Sequence, residues 1–210
     1  MSALQDRLKD VEKAEGNADA VDEARRRLVE ELEGDPAAAP AVTEALYRLG
    51  LSTLWRKRDL AAASDLFKRA AEKKDPTWSP VARTSYALTL HAKQKYPQAV
   101  FELRKVIGSG APTPATTTAL CMLCQVLRDS GAKPSEIEKA DKERIAALDA
   151  MVKQAPAGSE ELAQWRVMLA VAHKEGGSRS ECKKQLEAVV AMGNAAGDAL
   201  ASARELLKGM

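Results

Sequence analysis

The chain has 210 residues, enough for one large domain or a short repeat array with a sizeable core. Of these, 45% are hydrophobic, mostly alanine and leucine, and only 4% are aromatic. β-branched residues never alternate with polar ones over a strand length, so no strand is expected. With 32 basic and 30 acidic residues the net charge is +2, which gives no whole-chain case for nucleic-acid binding.

Taken in order, the chain divides into short amphipathic segments that predict helices near 3–14, 18–33, 41–57, 59–74, 79–94, 96–108, 114–129, 135–153, 159–175, 178–192 and 196–208. Glycine and proline clusters set the breaks: Gly16-Asn17, Gly34-Asp35-Pro36, Asp75-Pro76, Gly108 to Pro112, Ser130-Gly131, Pro156 to Ser159, Gly176-Gly177 and Gly193-Asn194. Proline removes a backbone donor and glycine weakens helices, so such clusters end them. Pro80 and Pro114 suit a first helical turn. Ser135-Glu136-Ile137-Glu138 has the spacing of a capping box, in which hydroxyl and carboxylate satisfy each other's free amides.

Helix, tight turn, helix and longer connector alternate along the chain. A hairpin of this kind cannot bury its own apolar face, so neighbours must stack to complete the core. Small residues recur where paired helices would cross. Ala87 is followed 12 residues later by Ala99 within Tyr96-Pro97-Gln98-Ala99, then by Leu103 and Val106. The preceding unit has Leu46, Leu49 and Gly50, then Ala63, Phe67, Ala70 and a closing Pro76; its interval is one residue longer, which predicts a bulged turn over Arg56 to Asp59. The last unit repeats the pattern with Leu169 and Ala170, then Cys182, Leu186 and Val189. Residues 114–153 read as a stretched unit, with Cys121 at the small position and Ala140 and Ala147 after an enlarged turn. The spacings of Ala63, Ala99, Ala140 and Cys182 are 36, 41 and 42 residues.

Over roughly 42–192 this pattern resembles the tetratricopeptide-repeat (TPR) family, whose motif is about 34 residues long. The resemblance implies an all-α, right-handed superhelical stack of antiparallel helix pairs, a TPR-like α-solenoid with a C-terminal capping helix. The expected organisation is a diverged N-terminal hairpin over 1–36, about four helix pairs over 41–194 and the capping helix over 195–210. An ordinary helical bundle would show similar spacings.

In such arrays the first helix of each pair lines a concave groove. That placement assigns Tyr47, Leu51 and Leu54 to one repeat, Thr84, Leu88 and His91 to the next, Thr118, Met122 and Gln125 to the third, and Val167, Val171 and Lys174 to the fourth. The Lys and Asn of the family's carboxylate clamp are replaced here by Tyr47 and Leu51, so the clamp is absent by motif. An extended or helical apolar segment of another protein is the expected guest, held by non-polar burial. These leucines could equally be core.

The turns between paired helices carry Arg56, Lys57 and Arg58, Lys93 and Lys95, Arg128 and Lys133, and Lys174 and Arg179, which would make a basic rim. Such a rim could steer an acidic partner or meet an anionic membrane, although basic residues also suit helix C-termini. Residues 1–36 hold 11 acidic and 6 basic residues, a net −5 against +7 for the remainder. The acidic end could meet the rim of another molecule, giving a homo-oligomer, or fold onto its own.

Catalytic chemistry has little to stand on. His91 and His173 have no neighbouring nucleophile or paired acid, and no phosphate-binding glycine loop, Gly-x-Ser-x-Gly or His-Glu-x-x-His occurs. Cys121-Met122-Leu123-Cys124 is a lone Cys-x-x-Cys inside a helix, which reads as core packing rather than a metal or redox site. No enzyme activity, cofactor or metal is expected. Three cysteines do not form a disulfide framework, the N-terminus has no basic segment followed by an apolar run, and no stretch reaches the ~20 apolar residues of a membrane span. A cytoplasmic location is expected. The leading reading is a protein-binding adaptor or scaffold. A TPR-type chaperone for a secreted or aggregation-prone client and a self-assembling structural protein are the alternatives.

Overall fold

The computed structural model describes residues 3–108 and 111–210. Their regular structure is entirely helical, with no strand among the described residues. The helices are α1 (Ala3–Lys13), α2 (Ala18–Leu32), α3 (Ala39–Trp55), α4 (Leu60–Glu72), α5 (Trp78–Ala92), α6 (Tyr96–Ile107), α7 (Pro114–Asp129), α8 (Pro134–Gln154), α9 (Glu160–Glu175), α10 (Arg179–Ala191) and α11 (Ala199–Lys208). Short 3-10 turns at Pro36–Ala38 and Gly193–Ala196 lead into α3 and α11. The second turn delays the last helix by three residues relative to the expected 196. The break expected at Gly108 to Pro112 includes Ser109 and Gly110, which lie outside the described residues.

Side-chain caps explain several helix starts. Asn17 and Asp59 each accept two backbone N–H bonds at the heads of α2 and α4. Asp75 accepts from Thr77 and Trp78, so α5 begins at Trp78, two residues ahead of Pro80. The capping box is found at Thr113 and Thr116 of α7, not at Ser135. Pro134 already occupies the first turn of α8 and Lys133 stands at its cap, which places Ser135 inside the helix. Proline's fixed φ takes precedence there over a hydroxyl one residue later.

Three of the hairpin turns close in the same way. Lys95 N–H bonds to the Leu90 carbonyl at 2.9 Å, Ala132 to Leu127 at 3.0 Å and Ser178 to His173 at 2.8 Å. In each, the residue before that donor is left-handed: Gln94, Gly131 and Gly177. This is the left-handed C-cap that satisfies the last free carbonyls of a helix. The α3–α4 turn has one residue more than the α5–α6 and α9–α10 turns, as the repeat interval predicts. There the Asp59 N–H reaches back to the Thr53 carbonyl at 3.1 Å and Arg58 is the left-handed residue. Ala87 and Ala170 lie seven residues before Gln94 and Gly177. By the same count Cys124, not Cys121, holds the small position of α7; Cys124 is fully buried and Cys121 half-buried.

The chain forms two units, one ending at Val106 and the next beginning at Ile107. In the first, α1 packs on α2, α2 on α3, α3 on α4 and α4 on α5, while α3 also touches α5. α6 joins α5 through fully buried Ala99 and Leu103, an Arg83–Glu102 ion pair and His91–Tyr96 ring contact. α4 and α5 run antiparallel: the Thr89 hydroxyl donates to Ser64 at 2.9 Å, and that of Ser79 to the Ala70 carbonyl at 3.0 Å. In the second unit α7 packs on α8, α8 on α9 and α9 on α10, and α11 covers α10 and α9.

Alanine and glycine at the crossings let the backbones approach closely. Gly50 faces the Phe67 ring, and Ala63, Ala70, Ala82, Ala87 and Ala99 are fully buried. Around them Leu28, Leu46, Phe67 and Leu103 in the first unit, and Leu123, Leu148, Leu169 and Leu186 in the second, are also inaccessible. Each large side chain so buried contributes roughly 1.5–3 kcal/mol.

The acidic N-terminal segment folds onto its own chain. Asp22, 2% exposed, accepts the Ser52 hydroxyl at 2.6 Å and lies 3.4 Å from the Arg56 guanidinium, which also reaches Asp19 at 2.8 Å. Glu33 pairs with Arg69 and Lys73, both at 2.8 Å.

Candidate protein-binding face

The residues expected to line a groove lie on first helices of pairs, and within the first unit α3 and α5 are in contact. The buried residues Val42, Leu46, Leu49, Gly50 and Thr53 define the side of α3 that faces inward. Tyr47, Leu51 and Leu54, all half-buried, follow one another along a different stripe. Trp55, one turn beyond Leu51, extends that stripe and is 71% exposed. On α5, Val81, Ser85 and Leu88 share the half-exposed side, while Ala82, Ala87 and Leu90 turn inward. α3 and α5 meet at Tyr47 and Trp78, and each helix keeps apolar surface on its half-exposed side.

Tyr47 anchors this face rather than projecting from it. Its ring sits 5.9 Å from Phe67 and 5.6 Å from Trp78, centre to centre, and Arg48 lies over Trp78 at 5.4 Å. Thr84 is buried, with its hydroxyl donating to the Pro80 carbonyl at 3.0 Å, so it presents no free polar group. His91 is half-buried, with its ring 5.7 Å from Tyr96. Leu51, Leu54 and Leu88 are the expected residues that retain apolar surface here. Trp55 was missing from the sequence-based set because it adjoins the basic turn; its place four residues after Leu51 was the available signal.

In the second unit Met122 and Val171 are half-buried, and Gln125 and Lys174 are exposed on α7 and α9. The Gln125 amide donates to Asp129 at 2.8 Å. Thr118 is exposed, with its hydroxyl bonded to the Pro114 carbonyl, and Val167 packs against the core of α9, α10 and α11.

The basic turns divide into committed and uncommitted cations. Arg56 is held by Asp19 and Asp22, and Arg128 makes two 2.7 Å hydrogen bonds to Asp141 and a 3.1 Å ion pair with Glu175. Arg128, half-buried, is an internal brace, which corrects its placement on an open rim; Arg56 stays exposed although it is paired. Lys57, Arg58, Lys93 and Lys95 are exposed.

Arg128 belongs to a partly buried network across α7, α8 and α9. Arg144, 5% exposed, bonds Glu175 at 2.7 Å and lies 2.9 Å from Asp141. Burial opposes its charge, but hydrogen bonding to Glu175 and the nearby carboxylates outweigh this and raise its pKa. Cys124 lies beside the network, and burial pushes its thiol up to about 12. Burial also raises Cys121 and Cys182. A thiol so disfavoured as thiolate is a poor nucleophile or metal ligand at neutral pH. Among the described residues no group of three or more His, Cys, Asp or Glu is placed to hold a metal, and no helix is long and apolar enough to cross a membrane.

A cleft of about 400 Å³ opens between α4 and α6, with α5 as its floor. Tyr86 and Arg83 line its base and Lys68, Phe101 and Lys105 its mouth. Phe101 is 60% exposed, and the Lys105 ammonium sits 4.1 Å from its ring centre. Arg83 is consumed inside by Glu102 and by the Ala71 carbonyl.

No protein-family model matches the chain, and no curated protein matches it in sequence. Solved structures do match in fold. A putative kinesin light chain from Podosopora anserina with nearly identical TPR-like repeats is 14% identical, covering 93% of this chain and 97% of that one at a TM-score of 0.57. A variant of the same protein is also 14% identical, covering 91% and 94% at 0.58. At such identity the likeness concerns architecture alone. The fold of this chain is TPR-like.

Proposed function

We propose that the chain is a non-enzymatic adaptor or scaffold that holds a peptide or helical segment of another protein. The α3–α5 face is the main docking surface. Exposed Trp55 beside half-buried Leu51, Leu54 and Leu88 carries this reading. An isolated exposed aliphatic residue is ordinary on a protein surface. A large indole continuing an apolar stripe is not, and clustered aromatic surface is typical of protein contacts. Non-polar burial at roughly 25 cal/mol per Å² would supply the affinity. Met122 and Gln125 of α7, with Val171 and Lys174 of α9, are proposed as a separate docking surface of the second unit. The TPR-like fold supports a binding role. A cytoplasmic location is part of the same proposal.

The test is affinity capture from native lysate, followed by titration of the purified captured protein against wild type, Leu88→Glu and Trp55→Ala. Both variants should weaken binding at least about tenfold, a loss of about 1.4 kcal/mol, without changing the melting curve. Equal affinity for all three chains would remove the α3–α5 face from the proposal.

A further inference from the structure

The edge beside the α3–α5 face gathers four exposed cations in two turns. Lys57 and Arg58 stand in the turn after α3, and Lys93 and Lys95 in the turn after α5. All four are exposed, and among the described residues no carboxylate lies within ion-pair distance of them. By contrast, the neighbouring Arg56 is committed to Asp19 and Asp22.

The two turns lie at the same end of the unit. Ser64, on the second turn of α4, bonds Thr89, on the last turn of antiparallel α5. The start of α4, which the 56–59 turn feeds, is therefore level with the end of α5, from which the 93–95 turn leaves. The same register puts Trp55 next to the first turn and Leu88 and His91 just below the second. Asp59 is the one acid within these turns, and its carboxylate is occupied by the Ala61 and Ala62 amides.

The backbone adds a second observation. Arg58 and Gln94 adopt left-handed conformations, at φ +54° and +57°, as does Lys74 after α4 at φ +59°. The corresponding turns of the second unit place Gly131 and Gly177 in that conformation. A side chain there costs free energy that glycine avoids, and arginine is not among the residues that commonly tolerate it. The first unit thus places a cation at a position where fold stability alone favours glycine.

Resting on the reading of the α3–α5 face given above, we propose that its partner is an acidic protein segment: an apolar anchor seats on Leu51, Trp55 and Leu88, and flanking Asp or Glu residues meet Lys57, Arg58, Lys93 and Lys95. The apolar stripe supplies residence and the cations supply orientation and encounter rate. Charge at an exposed rim acts mainly through steering, and it is screened by salt. Because the cations lie at one end of the stripe, they also set the direction in which the segment runs.

A random peptide library displayed on phage, selected against the whole chain, tests this. The expected enriched peptides pair an apolar residue with two or more Asp or Glu on one side of it. Replacing those acids by Gln or Asn in a synthetic copy should weaken binding about tenfold at low salt, with the difference shrinking as salt is added. Selection against the K57E/R58E/K93E/K95E variant should enrich Lys and Arg instead. These four side chains are exposed, and circular dichroism establishes that the variant is folded. Enrichment with no acidic bias, or the same acidic peptides on the charge-reversed chain, overturns the proposal. So does the absence of peptide enrichment combined with co-sedimentation on phosphatidylserine vesicles, which would give the rim to a lipid surface. A separate arm with Leu88→Glu distinguishes the two readings. Acidic peptides that bind this variant unchanged remove the apolar face while leaving the rim, and loss of all peptides with no acidic bias in the wild type removes the rim while leaving the face.

Discussion

Gly50 lies so close to Phe67 that a methyl group on its α-carbon would sit 2.6 Å from the ring's Cε1. Both residues are buried, and Phe67 is fully inaccessible, with its ring also against Tyr47. The crossing of α3 and α4 is set by this absence of a side chain. Gly50→Ala improves intrinsic helix propensity by roughly 0.5–1 kcal/mol. Overpacking against an immobile ring costs about 1–3 kcal/mol. Net destabilisation is expected, read as a lower denaturant midpoint with unchanged slope; a more stable variant would mean that the ring can move aside.

Arg144 offers a test of the partly buried network. Arg144→Ala strips Glu175 and Asp141 of one partner but leaves them Arg128, and Glu175 is 38% exposed, so the cost should be about 1–3 kcal/mol. Arg144→Met, which keeps the volume, should cost less than Arg144→Ala by urea denaturation. Equal and small losses would place the network's stabilisation elsewhere, in Arg128.

Cys124 should resist alkylation. Its thiol is inaccessible and its pKa is raised to about 12, so the thiolate fraction at pH 8 is minute. Mass spectrometry after iodoacetamide treatment should find Cys124 unmodified in the native chain and fully modified in guanidinium. Rapid native labelling would refute its place at the helix crossing.

Glu33 gives a pH dependence. Hydrogen bonding to Lys73, together with Arg69, holds its carboxyl below the ordinary 4.5, although burial acts the other way. A group with a depressed folded pKa stabilises the fold above its unfolded value and loses that contribution as pH falls through the folded value. The gain is modest because the carboxylate is 38% exposed and salt screens it. The difference in melting temperature between wild type and Glu33→Gln should be visible at pH 6 and shrink progressively as the solution is acidified below the ordinary carboxyl value of 4.5. A difference that persists in acid would assign the effect to packing.

The helices were largely legible because their punctuation is local. Gly176-Gly177 and Asp75-Pro76 act on the residues beside them, and the observed boundaries follow within a few positions. The repeat register was legible where alanine marks it, at Ala87 and Ala99. It slipped by one turn at Cys121 and Cys124, since two identical residues three apart cannot be ranked without knowing where the turn closes. Ser135 was misread because Pro134 competes for the same helix start. Long-range pairing was the least legible. Nothing near Arg56 in sequence announces Asp19 and Asp22, and nothing near Arg128 announces Glu175. Exposure was equally hidden: Trp55 and Trp165 both follow helical spacing, yet the first is 71% exposed and the second 9%.

The unequal surroundings of the tryptophans have a practical consequence. Trp55 stands in water, while Trp78 is half-buried under Arg48 and Trp165 is enclosed. The long-wavelength edge of the intrinsic emission therefore belongs to Trp55. Iodide, drawn by the nearby lysines, should quench that component first. A guest settling on α3 and α5 would shift it toward the blue and shelter it from the quencher, so the protein carries an optical signal for occupancy of its own surface.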